Sequence, residues 1–94
     1  MRIYNTKISN IIYIQPILTI VFEGRDFIFQ KDITVFMNRF PNFISLICRT
    51  VGVDDPKNLI NKKVKIEVDK KELLTIINIE GTNHLNLDEF FNCH

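Results

Sequence analysis

Residues 40–53, Phe40-Pro41-Asn42-Phe43-Ile44-Ser45-Leu46-Ile47-Cys48-Arg49-Thr50-Val51-Gly52-Val53, carry the one clear helical period in a chain otherwise rich in strand formers. Phe40, Phe43, Ile44, Ile47, Cys48 and Val51 recur at i, i+3, i+4, i+7, i+8 and i+11, a single apolar stripe. Asn42, Ser45, Arg49 and Thr50 take the other side, with Leu46 the exception. Pro41 suits the first helical position, because its missing N–H would have no intrahelical partner there. Gly52 can take the left-handed stop, and Val53 the apolar contact of a Schellman motif. The spacing therefore predicts one main helix over about 41–51. Its stripe needs a sheet to cover it.

On the N-terminal side, residues 2–9 mix apolar and polar side chains as a half-exposed or edge strand does. Pro16 marks a bend or an edge, since it cannot donate to a ladder. Residues 17–22 run apolar on both faces, as a central strand would. Glu23-Gly24-Arg25-Asp26 reads as a hairpin turn, with Phe27-Ile28-Phe29 returning as the next strand. Residues 33–39 fit either a preceding helical turn or a short strand ending before Pro41.

On the C-terminal side, Asp54-Asp55-Pro56 offers a capping aspartate followed by proline, so 56–59 reads as one helical turn. Next comes the cleanest strand. Val64, Ile66 and Val68 point one way, Lys63, Lys65, Glu67 and Asp69 the other. Lys70-Lys71-Glu72 turns into residues 73–79, apolar on both faces and so an interior strand. Asn86 can cap a short C-terminal helix with Asp88 and Glu89 in its first turn and Phe90 and Phe91 packing it down. The expected fold is α+β, a single small domain over 1–94: an antiparallel sheet of about five strands packed on one main helix.

Composition bounds the rest. A 94-residue chain buries roughly 65% of its unfolded surface, enough for one core without metal or disulfide staples. It is 46% hydrophobic and 24% charged, which argues globular rather than disordered. Twelve bases against eleven acids give no bulk attraction to nucleic acid. There is no alanine and no tryptophan, while isoleucine supplies sixteen residues and asparagine ten. Isoleucine, valine and threonine together make 28, a bias that favours strands. An AT-rich coding sequence over-encodes isoleucine, asparagine, lysine and phenylalanine as well, which weakens that propensity reading. The run 11–22 is too short to span a bilayer and is broken by Gln15-Pro16, so it reads as buried strand rather than membrane or leader segment. Cys48 and Cys93 make no disulfide framework, and the expected compartment is a reducing cytoplasm.

The residue patterns that carry chemistry are sparse. His84, His94, Cys48 and Cys93 are the soft metal ligands, and they lack ligand spacing. Cys48 on the helix stripe reads as core, and His84 as a solvated loop residue rather than its catalytic partner. Asp54-Asp55 and Asp88-Glu89 sit where helix starts favour acid. Gly24, Gly52 and Gly81 are too far apart for a phosphate loop. No catalytic residue, metal or cofactor is expected.

Two surface signals remain. Lys57, Lys62, Lys63, Lys65, Lys70 and Lys71 place six bases in fifteen residues, a stripe that could follow a phosphate backbone or merely solvate a strand. Aromatics do not interleave with it, so base stacking is poorly served. Eight phenylalanines and two tyrosines also strain the capacity of one helix-on-sheet core. Phe36, Phe40, Tyr13, Phe90 and Phe91 are the candidates for meeting a partner, a second copy of the chain included.

From the helix end onward the pattern is Val51-Gly52-Val53, Asp-Pro with Leu59, Lys62-Lys63-Val64, an alternating strand, an acidic turn, an isoleucine-rich strand, then Leu87-Asp88-Glu89-Phe90-Phe91. Over about residues 40–91 it resembles a loose set of small, mostly uncharacterised phage and prophage accessory proteins. Asn61 stands where that set usually has glycine, and the aromatic expected near His84-Leu85 is missing. The matching residues are caps, turns, a strand and a docking helix, so the resemblance implies no catalytic residue. It implies a setting: accessory genes of bacterial viruses, some of whose products bind and inhibit host defence proteins. The expected function is a non-catalytic protein that binds a host macromolecule, a stoichiometric, anti-CRISPR-like inhibitor of a bacterial defence nuclease. The alternative is a small nucleic-acid-binding domain using the lysine strand. The expected contact residues are Lys62, Lys63, Lys65, Lys70, Lys71, Phe36, Phe90 and Phe91. A homodimer is allowed and a membrane is not.

Overall fold

The computed structural model describes residues 2–70 and 72–87, with Leu74 described by its backbone alone. The order of elements is β1 (Arg2–Ile14), β2 (Ile17–Glu23), β3 (Ile28–Thr34), α1 (Phe40–Val51), a 3-10 turn (Pro56–Leu59), β4 (Lys63–Asp69), β5 (Glu72–Asn78) and β6 (His84–Asn86). Among the described residues these six strands form one sheet, ordered β3-β2-β1-β4-β5-β6, with every neighbour antiparallel. The α+β architecture expected from the sequence is what the chain adopts. The short helix expected after Asn86, with Phe90 and Phe91, lies outside the described residues.

β1 organises the sheet. Its first half, Arg2 to Lys7, pairs with β4, and its second half, Lys7 to Ile14, pairs with β2. Between Ile8 and Asn10 the register slips by one residue, so Ser9 forms a β-bulge. A bulge adds twist and bends a strand. Here it lets the two halves of the sheet fold toward each other, and Tyr4 of β1 meets Phe27 ahead of β3 edge to face, ring centroids 5.0 Å apart. Pro16 follows a cis peptide bond in the tight turn joining Ile14 to Ile17.

One face of the curled sheet is the core. Ile8, Leu18, Ile20, Phe22, Val64, Ile66, Leu73, Ile76 and Leu85 lie on it, all buried. α1 closes this face against β5 and β6, burying Phe43, Ile44, Ile47, Cys48, Thr50 and Val51. The apolar stripe read from the sequence is thus the buried face, with Phe40 half-buried; Thr50, expected on the polar side, is buried as well, its hydroxyl donating to the Leu46 carbonyl at 2.8 Å. The stop is also as expected: Gly52 takes φ 83°, and the Val53 N–H donates to the Cys48 carbonyl at 3.0 Å, the closing bond of a Schellman motif. Asp55 caps the 3-10 turn by accepting from the Lys57 N–H at 3.0 Å, with Pro56 beginning the turn.

Several boundaries differ from expectation. β1 runs to Ile14 rather than ending near residue 9, because the hairpin at Gln15-Pro16 keeps it paired to β2. β2 is buried on one face only: Leu18, Ile20 and Phe22 are covered, whereas Ile17 is 40% exposed. β5 ends at Asn78 rather than Ile79, which is 39% exposed, but it is the interior strand expected, buried through Leu73 and Ile76 on the core side and Thr75 and Ile77 on the other. Residues 33–39 divide between the two readings. Ile33 and Thr34 finish β3, and Phe36–Arg39 turn, the Phe40 N–H donating to the Phe36 carbonyl at 3.0 Å. β6 was not expected. Buried Asn78 sets up its approach by donating from Nδ2 to Thr82 Oγ1 and accepting at Oδ1 from the Asn83 N–H.

Candidate functional site

The face of the sheet opposite α1 carries the side chains that β-strand alternation turns away from the core. Register places them in rows: Ile28, Gln30, Asp32 and Thr34 on β3; Ile17, Thr19, Val21 and Glu23 on β2; Asn10, Ile12 and Ile14 on β1. Beyond the bulge follow Ile3, Asn5 and Lys7 on β1, then Lys63, Lys65, Glu67 and Asp69 on β4.

The lysines expected to act together are divided. Lys63 and Lys65 share this open face, with Lys7 directly opposite Lys63. Lys7 is itself 3.9 Å from Glu23, an exposed pair. Lys62 precedes β4 with its carbonyl accepting from the Ile8 N–H at 3.0 Å. Lys70 sits at the far end in a left-handed turn, φ 50°, beside a hollow shared with Arg2, Phe27 and Asp69. Lys71 lies outside the described residues. Along β4 the open face is basic at Lys63 and Lys65 and acidic at Glu67 and Asp69, so the stripe changes sign halfway. Lys7 was not singled out in the sequence, because only the cross-strand register brings it to Lys63.

The aromatics divide too. Tyr13 and Phe40 are committed internally: their rings stack with centroids 3.9 Å apart, and the Tyr13 hydroxyl donates to the Val35 carbonyl at 2.6 Å. Phe36 is 60% exposed, and so is Met37 beside it. Phe90 and Phe91 lie outside the described residues.

Phe36 has exposed apolar company. Ile14, 74% exposed, stands directly across from Ile17, and Ile12 at 44% lies on the same face of β1. Ile17 in turn faces Thr34, two residues before Phe36. Three exposed isoleucines thus share one face at the β1–β2 hairpin end, with exposed Phe36 and Met37 just past the end of β3, where the Val35 N–H donates to the Pro16 carbonyl. Sequence reading missed the isoleucines, since the run 11–22 reads as buried strand when both faces of a strand are apolar. The largest exposed apolar patch on a monomer is typically a few hundred Å² and is often functional.

On the other side of the molecule, a groove of about 640 Å³ runs between α1, the 3-10 turn and β1, lined by Ile11, Phe40, Ile44, Cys48 and Leu59. Burial pushes the Cys48 thiol pKa up, and the nearby Asp55 carboxylate adds to the shift against a smaller opposing backbone hydrogen bond. A thiol so placed is a poor nucleophile, because the thiolate is the reactive form. His84 lines a different hollow with Arg49, Thr50 and Asn83, and its Nε2 is 3.1 Å from the Gly81 carbonyl oxygen. Among the described residues, no three His, Cys, Asp or Glu side chains are grouped to hold a metal. No helix there is long and apolar enough to cross a membrane. Comparison with models of known families, with curated proteins and with solved structures finds no match.

Proposed function

We propose that this chain is a non-catalytic binding protein whose working surface is the apolar hairpin end formed by Ile12, Ile14, Ile17, Phe36 and Met37. The observation that carries the reading is the exposure of these side chains, 40–74%, with Ile12, Ile14 and Ile17 sharing one face of the hairpin end and Phe36 and Met37 just past the end of the neighbouring β3. Water is displaced favourably from such a patch only when another surface covers it, at roughly 25 cal/mol per Å² of apolar area. The resemblance to phage accessory proteins supplies the setting. The partner is a host protein, and the reading extends to stoichiometric, anti-CRISPR-like inhibition of a defence nuclease in the bacterial cytoplasm.

A second reading is favoured by one observation, the adjacency of Lys7, Lys63 and Lys65 on the open face. These could contact the phosphates of a nucleic acid. Glu23, Glu67 and Asp69 on the same face oppose it.

Affinity purification from a bacterial lysate, with and without nuclease treatment, separates the two. A host protein retained in fixed stoichiometry after nuclease, and lost from the Ile14→Glu/Phe36→Glu variant, supports the leading reading. Recovery of nuclease-sensitive nucleic acid that Lys63→Glu/Lys65→Glu abolishes would replace it with the second.

A further inference from the structure

β3 is an edge strand, hydrogen-bonded to β2 on one side alone among the described residues. The ladder shows which of its backbone groups are unused. The Gly24 N–H donates to the Phe27 carbonyl at 2.9 Å, and the Val35 N–H donates to the Pro16 carbonyl at 2.8 Å. Both pairs belong to the register that sets Ile17 against Thr34. In an antiparallel ladder hydrogen-bonded pairs alternate, so the odd residues of β3 turn their backbone groups to β2. Ile28, Gln30, Asp32 and Thr34 turn theirs outward. A row of unpaired donors and acceptors is a template for another strand.

From this edge we propose that the chain forms a symmetric homodimer in which the β3 strands of two copies pair antiparallel about a two-fold axis at Lys31, joining the sheets into one. Such pairing needs no host partner and is a property of the purified chain alone. The outward groups then meet as hydrogen-bonded pairs, Gln30 with Asp32 of the second copy and Ile28 with Thr34 of the second copy, each pair repeated by the axis. The side chains agree with that register. A Gln30 amide can donate to the facing Asp32 carboxylate, which within one chain it reaches only at 3.5 Å. Ile28, 70% exposed, gains the Thr34 methyl and lies one strand from Ile17 of the second copy. On the core face Phe29 meets Ile33.

The like charges at the axis are already neutralised, because each Lys31 ammonium is held 2.6 Å from its own Glu72. Shifting the register by two residues either way sets Asp32 against Asp32 or Ile28 against Asp32, a repulsion or a poor contact. The second copy is thus the occupant this edge matches, in one register.

A seven-residue strand pair is a small interface, below the roughly 1,000 Å² of a stable complex, so the dimer is a concentration-dependent one. Light scattering or sedimentation of the purified chain from about 1 µM to 1 mM should show the mass rising from 11.1 kDa toward twice that value. Gln30→Pro removes an outward N–H without touching the bonds to β2 and should hold the chain monomeric, with its circular dichroism unchanged.

Register is read in a Cys93→Ser background under mild oxidation. Lys31→Cys places two thiols across a non-hydrogen-bonded pair, about 4.5 Å between Cα atoms, and should cross-link at least tenfold faster than Gln30→Cys. In the latter the two Cα atoms are diagonal neighbours about 8 Å apart, beyond disulfide reach. A single 11.1 kDa species over the whole range, a Gln30→Pro variant that still dimerises, or equal cross-linking at the two positions would overturn the proposal.

Discussion

Lys31 Nζ on β3 lies 2.6 Å from Glu72 Oε2 on β5, although β2, β1 and β4 stand between their strands in the sheet. Strands are about 4.8 Å apart, so four steps across a flat sheet cover about 19 Å, farther than the two side chains can bridge. The contact therefore measures the curl. The bulge at Ser9 and a second register slip between β4 and β5, at Glu67/Val68, bend the sheet until β3 meets the start of β5, and the pair ties the two together. Its energetic contribution is small, because Glu72 is 67% exposed and water screens the pair. Lys31→Met should cost less than about 1 kcal/mol, a fall in Tm of a few degrees by thermal circular dichroism, and the difference from wild type should shrink in high salt. A larger loss would mean the pair carries the closure itself.

Two glycines should fail differently on replacement by alanine. Gly52 has φ 83° with nothing near the position of an added Cβ, so its cost is purely the left-handed backbone, about 1 kcal/mol. At Gly24 an added methyl would collide with the Phe27 ring, which packs on Tyr4. Displacing that ring should cost more, about 1–3 kcal/mol, and should loosen the hairpin locally. Urea titration of the two variants gives the ranking, and equal values would refute it.

Local signals explain what could be read ahead of the structure. α1, its stop at Gly52, the Asp55 cap and the alternation of β4 each depend on residues within a few positions of one another. Long-range pairing explains what could not. Whether Ile14 is buried depends on whether anything covers that face of β1. The sequence around it is apolar either way. Lys7 joins Lys63 only through the β1–β4 register, and β6 exists because Asn78 ties down the turn before it. The core was therefore legible and the candidate surface was not, since isoleucine on both faces of β1 and β2 hides which face meets water.

Cys48 should be chemically silent in the native protein. It is 6% exposed and its thiol pKa is raised, chiefly by burial. In a Cys93→Ser background, alkylation at neutral pH should be at least about 100-fold slower in the folded chain than in denaturant, because reaction requires opening of the core. The same shift sets a pH dependence. The folded state holds the proton more tightly than the unfolded state, so this contribution to stability is complete below the ordinary thiol value near 8.5 and declines as pH rises above it. Chemical denaturation at pH 7 and pH 10, compared with the Cys48→Ala variant, isolates the effect. A stability that rose with pH relative to that variant would contradict it.

Two isoleucines, one buried and one exposed, should behave in opposite ways. Ile47 on α1 is fully buried, and Ile47→Ala should cost about 2–5 kcal/mol through lost transfer energy and the cavity left behind. Ile14 is 74% exposed at the hairpin end, and Ile14→Ser should change stability by no more than about 0.5 kcal/mol. If the hairpin end is the working surface, the order inverts for partner binding. Ile14→Ser should weaken capture of the host protein at least tenfold while the protein stays folded, whereas any loss in Ile47→Ala should follow its unfolded fraction. An Ile14→Ser protein that is fully stable and still captures the host protein as well as wild type would show that the patch is bystander surface.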